Sequence, residues 1–108
     1  MANTFKNAHS AGTGTAYATV YAAPASTTTV VLGMSLCNTT TGSIVVDVQF
    51  RDAASSARKM LTSVDIPAGS TLEVLSGQKY ILEPTDDIQV KSNTASSLDV
   101  VMGVMEIT

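Results

Sequence analysis

This chain has no tryptophan, one cysteine and one histidine in 108 residues. A single cysteine, Cys37, cannot close an intrachain disulfide, so the bridged framework of a small secreted module is excluded. His9 and Cys37 are too few and too far apart for a structural zinc site, and no cofactor is expected. Charge is also scarce: charged residues make up 14% of the chain, against about 25% in an average soluble domain. Such a shortage points to surface that is meant to be covered. The 6 Lys and Arg against 9 Asp and Glu leave a net charge of −3, the wrong sign for a protein that lives on phosphate backbones, so nucleic acid is not an expected partner. No apolar run approaches the roughly 18 to 20 residues of a membrane helix. The N-terminal MANTFKNAHSAGTGTA lacks the apolar core of a signal peptide, so neither a membrane partner nor export by the usual route is expected.

What the chain does have is alternation. Residues 1–14 are small, polar and aperiodic, with Phe5 as the one anchor, and read as a flexible or partner-ordered arm. From Thr15 onward the texture becomes that of strands. In TAYATVYAAP, Tyr17, Thr19 and Tyr21 are expected on one side of a pleat and Ala16, Ala18 and Val20 on the other. In TTTVVLGMSLC, Val30, Leu32, Met34 and Leu36 are expected on one face, opposite Val31, Gly33, Ser35 and Cys37. The segment SIVVDVQFRD turns Ile44, Val46, Val48 and Phe50 inward and Asp47, Gln49 and Arg51 outward, and RKMLTSVDI follows as a weaker strand grouping Met60, Thr62, Val64 and Ile66.

Turn chemistry then divides the C-terminal half. Pro67 and Gly69, Ser76-Gly77 and Pro84 punctuate STLEVL, QKYIL and DIQVKS. The last segment, SLDVVMGVMEI, is apolar on both faces. Leu98, Val100, Met102 and Val104 form one row, and Val101, Met105 and Ile107 most of the other. Such a strand belongs in the middle of a sheet, with its second face covered by another layer or another subunit. Seven to eight strands of this spacing specify an all-β antiparallel β-sandwich over residues 15–108, Ig-like or jelly-roll in connectivity, preceded by the arm.

Reactive chemistry is missing from this pattern. His9 lies in the expected arm with no acidic partner nearby in sequence, and Cys37 sits in a strand, where a thiol behaves as a small hydrophobe. Glu83, Asp86 and Asp87 could hold calcium, but Asp side chains capping a turn explain them more simply. Asn38-Thr39-Thr40 matches a glycosylation sequon and reads as a polar loop. Neither an EF-hand loop nor a phosphate-binding glycine motif occurs. The chain is therefore read as no enzyme, with no catalytic or metal residue. Tyr17 and Tyr21 could form a small sugar platform, though packing against a subunit is the favoured fate for them.

The segment IPAGSTLEVLSGQKYILEPTDDIQVKSNTASSLDVVMGVMEI, Ile66 to Ile107, together with the preceding LCNTTTGSIVVDVQFRD, resembles small β-sandwich virion structural proteins of tailed bacteriophages. The resemblance implies a head cement or decoration protein, made in the host cytoplasm and resident in the virion. Its partners would be major capsid protein or other virion subunits and copies of itself, a trimer being favoured. A neck, tail or baseplate component and a host-surface glycan-recognition module are the alternatives. The residues expected at the subunit interface are Phe5, Tyr17, Tyr21, Val101 and Met105.

Overall fold

The computed structural model describes residues 3–54, 56–75 and 78–108; the Ser76-Gly77 turn and the first two residues of the expected arm lie outside them. Nine strands are present: β1 (Asn3–Thr13), β2 (Ala18–Ala22), β3 (Thr28–Asn38), β4 (Ile44–Arg51), β5 (Ala57–Ile66), β6 (Thr71–Glu73), β7 (Tyr80–Leu82), β8 (Asp87–Ser92) and β9 (Leu98–Ile107). They form two antiparallel sheets. The larger is ordered β1-β9-β3-β6, with β7 also on β3, and the smaller β2-β8-β4-β5. β6 and β7 pair with the two halves of the same edge of β3. Counted as one interrupted strand, they give the connectivity of a jelly roll, in which most successive strands cross between the sheets. The sequence pattern left this topology open against the Ig-like one.

Period-two burial builds the core. Ile44, Val46 and Val48 of β4, Ile88 and Val90 of β8, and Leu98, Val100, Met102 and Val104 of β9 are all at most 1% exposed and meet between the sheets. β9 is central as expected, paired with β1 on one edge and β3 on the other.

Segment 3–13 forms a strand where the sequence reading expects an arm. Its residues bury little apolar surface, so no hydrophobic alternation announces it. The backbone groups on one side of it pair with an edge of β9, from Asn3 opposite Ile107 to Thr13 opposite Leu98.

Three bulged strands change which residues share a face. In β3 the extra residue is Leu32, between Val31 opposite Val104 and Gly33 opposite Gly103. One inserted residue flips the parity. Thr29 and Val31 face the core before it, Met34 and Leu36 after it, and Leu32 is left 38% exposed. The expected face of Val30, Leu32, Met34 and Leu36 is corrected accordingly. In β2 the extra residue is Val20, which is buried, and this separates Thr19 from Tyr21. β5 has two bulges, so Leu61 rather than Thr62 stands opposite Val48. Thr62 is exposed.

One buried amide ties the turns together. The fully buried Asn38 donates from Nδ2 to the carbonyls of Gly42 (2.8 Å) and Ile66 (2.9 Å). Its Oδ1 accepts from the Thr40 backbone N–H (2.9 Å) and hydroxyl (2.8 Å). The sequon asparagine is thus a structural pin. Asn38→Ala would leave the buried Ile66 carbonyl without its Nδ2 donor and the Thr40 N–H without its Oδ1 acceptor, at roughly 1–3 kcal/mol for each group that water cannot reach. Urea denaturation should therefore show a loss of about 2 kcal/mol or more, whereas Thr39→Ala, at the exposed neighbour, should change stability by less than about 1 kcal/mol.

Candidate functional site

The outer faces of the two sheets differ in chemistry. On the smaller sheet, outward side chains form polar rows across the strands. Arg51 holds Asp87 through Nε–Oδ1 (3.1 Å) and Nη2–Oδ2 (2.7 Å). Gln49 donates to Gln89 (2.8 Å), which donates to Thr19 (3.0 Å), and Lys91 approaches Asp47 at 3.8 Å. The Lys59 and Lys91 ammonium groups lie 4.7 and 4.8 Å from the Tyr17 ring centroid, a cation–π arrangement, and Lys59 also hydrogen-bonds the Tyr17 hydroxyl.

The larger sheet presents apolar side chains. Because β1, β9, β3 and β7 are in register, Phe5 stands opposite Met105, Met105 opposite Val30, and Val30 opposite Ile81. This row crosses four strands on the side away from the core. Phe5 is 71% exposed, Ile81 55% and, four residues along β9 from Met105 on the same face, Val101 52%. Beside the row, Gly33 faces Gly103. The missing side chains leave a shallow groove of about 250 Å³ bordered by Phe5, Asn7 and Leu32. A Cβ at Gly33 would meet nothing within 4 Å, and one at Gly103 only Asn7 Oδ1 at 4.0 Å. The charged groups of this face, Glu73 and Asp99, stand toward one end, with Cys37 and Val101. A row of exposed apolar side chains of this kind is the usual mark of an interaction site.

Of the residues expected at an interface, Phe5, Val101 and Met105 come together here. Tyr17 and Tyr21 do not join them, or each other. The bulge at Val20 turns Tyr21 inward, where its hydroxyl donates to Glu106 Oε2 (2.5 Å) and lies 2.9 Å from Thr29 Oγ1. The two-ring sugar platform is therefore not formed. Leu32, Ile81 and Val30 complete the patch and escaped sequence reasoning: strict alternation groups Leu32 and Val30 with Met34 and Leu36, and only the pairing of β7 with β3 places Ile81 beside Val30.

Glu106 is the one carboxylate on the inward row of β9, 6% exposed. It bonds Tyr21, and Lys6 of β1 reaches it at 3.0 Å. The Tyr21 hydrogen bond, then that of Lys6, holds its carboxyl below the ordinary 4.5. Burial, reinforced by the bond to Glu106, pushes the Tyr21 phenol up to about 12. The cluster thus joins β1, β2, β3 and β9 around one fixed negative charge. Among the described residues no group of three or more His, Cys, Asp and Glu could hold a metal ion. Asp86 and Asp87 are otherwise engaged: Asp86 Oδ2 accepts from the Glu83 N–H (2.9 Å), and Asp87 is held by Arg51. His9 is exposed on β1, opposite Val101, and Cys37 is half-buried, opposite Asp99. Among the described residues no helix is long and apolar enough to cross a membrane.

No protein-family model and no curated protein matches the sequence. Solved structures do share the fold. One, from Bacillus endospore appendages that form a family of disulfide-linked pili, is 16% identical with a TM-score of 0.60, over 98% of this chain and 88% of that one. Another, from the T13 IBDV viral particle, is 8% identical with a TM-score of 0.51, over 96% of this chain and 34% of that one. At these identities the likeness is one of fold, an all-β sandwich that this chain shares with both.

The depressed Glu106 pKa has a definite sign. A carboxyl whose folded pKa lies below its unfolded value contributes stability that is complete above the ordinary value and is lost as pH falls through the folded one. Urea midpoints should therefore fall on acidification below 4.5. Tyr21→Phe should cost about 1.5–3 kcal/mol at neutral pH, as expected for a hydrogen bond to a charged group, and should flatten that acid limb. An unchanged acid slope in Tyr21→Phe would refute the assignment.

Proposed function

We propose that this protein is a non-enzymatic structural subunit of a phage particle, a cement or decoration protein that lies with the outer face of its larger sheet on neighbouring major capsid subunits and stabilises the shell. The observation that carries this reading is the in-register row Phe5–Met105–Val30–Ile81, with the Gly33–Gly103 groove beside it. A sandwich that only had to be soluble would bear polar rows on both outer faces, as the smaller sheet does. The scarcity of charge fits the same role, since covered surface gains nothing from charge. So does the fact that, among the described residues, the single His9 and the single Cys37 lie on different strands, opposite Val101 and Asp99.

The setting in a tailed-phage particle rests on the resemblance of Ile66 to Ile107 to virion proteins. The two solved structures of like fold support assembly as its use, one belonging to a viral particle and one to a pilus. The same face would serve a neck, tail or baseplate subunit equally well. Further copies of this chain would gather several such faces on one partner surface, adding avidity.

The groove permits a test that spares the fold. Gly103→Val adds a branched side chain into open space on a β-strand, where its backbone is favourable. Its urea midpoint should equal or exceed the wild type. Binding to empty phage shells assembled from major capsid protein alone, measured by co-sedimentation, should fall at least about tenfold, a loss of about 1.4 kcal/mol. The double variant Phe5→Ser/Ile81→Ser should lose binding with its strand content intact by circular dichroism. Shells that bind both variants as they bind the wild type would exclude this face.

A further inference from the structure

The two sheets of the sandwich have four outer edges, and three of them are blunted in ways that discourage further pairing. On β3, the edge strands β6 and β7 are three residues each. β2 is five residues, is broken by the bulge at Val20 and is followed by Pro24. β5 carries two bulges, with Ser63 at φ 52° in one of them, and bears Arg58, Lys59 and Asp65.

The fourth edge, β1, has none of these devices over most of its length. From Asn3 opposite Ile107 to Ser10 opposite Val100 it is paired to β9 without interruption, and the irregularity comes only after Ser10. It contains no proline and no carboxylate. Its one formal charge, Lys6, is drawn back over the sheet onto the Glu106 carboxylate at 3.0 Å. A long, regular, uncharged edge presents a row of backbone donors and acceptors ready for another strand.

We infer that two copies of this chain join through their β1 edges, antiparallel across a two-fold axis, so that the larger sheets of both become one continuous sheet. A second β1 is the strand that fits. It has the same length and regularity, and it brings no carboxylate against the edge, its one charge, Lys6, being paired with Glu106 of its own sheet. An antiparallel pairing of a strand with itself is closed and self-complementary, as a two-fold interface requires. The register centred on Asn7 sets Asn7 against Asn7 of the second copy, Phe5 against its His9 and Lys6 against its Ala8. It keeps the two Lys6 side chains off a shared position, where like charges would repel. The apolar rows of the two copies then lie on the same side of one sheet, and the docking face doubles. This inference concerns the edge of the sheet and does not depend on what the face binds.

The test uses the full chain in a Cys37→Ser background. Directly opposite residues in an antiparallel pair hold their Cβ atoms about 4.5–5.5 Å apart, within a small adjustment of disulfide reach. Asn7→Cys should therefore cross-link to a dimer under glutathione oxidation. His9→Cys should not, since its counterpart lies about 13 Å away along the strands at this register. By sedimentation equilibrium the wild type should show a concentration-dependent dimer. Asn7→Lys and Asn7→Asp should each weaken it at least about tenfold, and mixing the two should restore it by opposing the charges. A wild type that is monomeric at every concentration would overturn the inference. So would cross-linking at His9→Cys but not at Asn7→Cys, or a mixture no tighter than either variant alone. In a dimer that exchanges β1 strands, Asn7 would face Gly103 of the other copy, and Asn7→Cys would stay uncross-linked. Shell binding by Gly103→Val reads the face and not the edge, so failure of either proposal leaves the other standing.

Discussion

The hydrogen-bonded ladders on the two edges of β9 are the constraint on which this structure turns. With β3 on one side and β1 on the other, the strand is held in one register, and its side chains are sorted by parity alone. Leu98, Val100, Met102 and Val104 enter the core. Val101, Met105 and Ile107 are sent to the opposite surface, where no second layer covers them. The core and the candidate docking face are therefore two sides of the same ten residues. A register slip of one residue would exchange them and destroy both.

Glu106 shows how this constraint reaches the end of the sandwich. Parity places a carboxylate on the inward row, where burial would be costly without partners. Tyr21 and Lys6 supply them. Tyr21 can do so because the bulge at Val20 turns it inward, and Lys6 because β1 is a strand on β9. A residue that looks like a lapse in the apolar pattern of β9 thus becomes the link that joins both sheets and the edge strand. The same parity gives the outer surfaces their contrast. Hydrogen-bonded and ion-paired rows on the smaller sheet satisfy one another and offer little to a partner, while the apolar row on the larger sheet can be satisfied only by being covered.

Much of this was legible in the residues. The alternation in 44–50 and 98–107 located two strands and their inward faces correctly, because nothing interrupts their parity. Of the five residues expected at a subunit interface, Phe5, Val101 and Met105 lie on one face of the larger sheet, and Tyr17 and Tyr21 lie elsewhere. Where reading failed, the cause is specific. Strict alternation put Leu32 on one face with Met34 and Leu36, and Tyr21 beside Tyr17, and in each strand one bulged residue reversed the outcome. The polar residues 3–13 carry no hydrophobic period, so nothing in them advertised a strand whose stability comes from the backbone of β9.

The sequence by itself determined the all-β class, the approximate strand positions and the shortage of charge, since each follows from local pattern and composition. Tertiary structure alone decided the jelly-roll connectivity, the placement of the bulges and the alignment of Phe5, Met105, Val30 and Ile81 across four strands. Those depend on which edges pair and in what register. The contacts that set the register join residues such as Asn3 and Ile107, almost the whole chain apart, whose proximity no local period encodes.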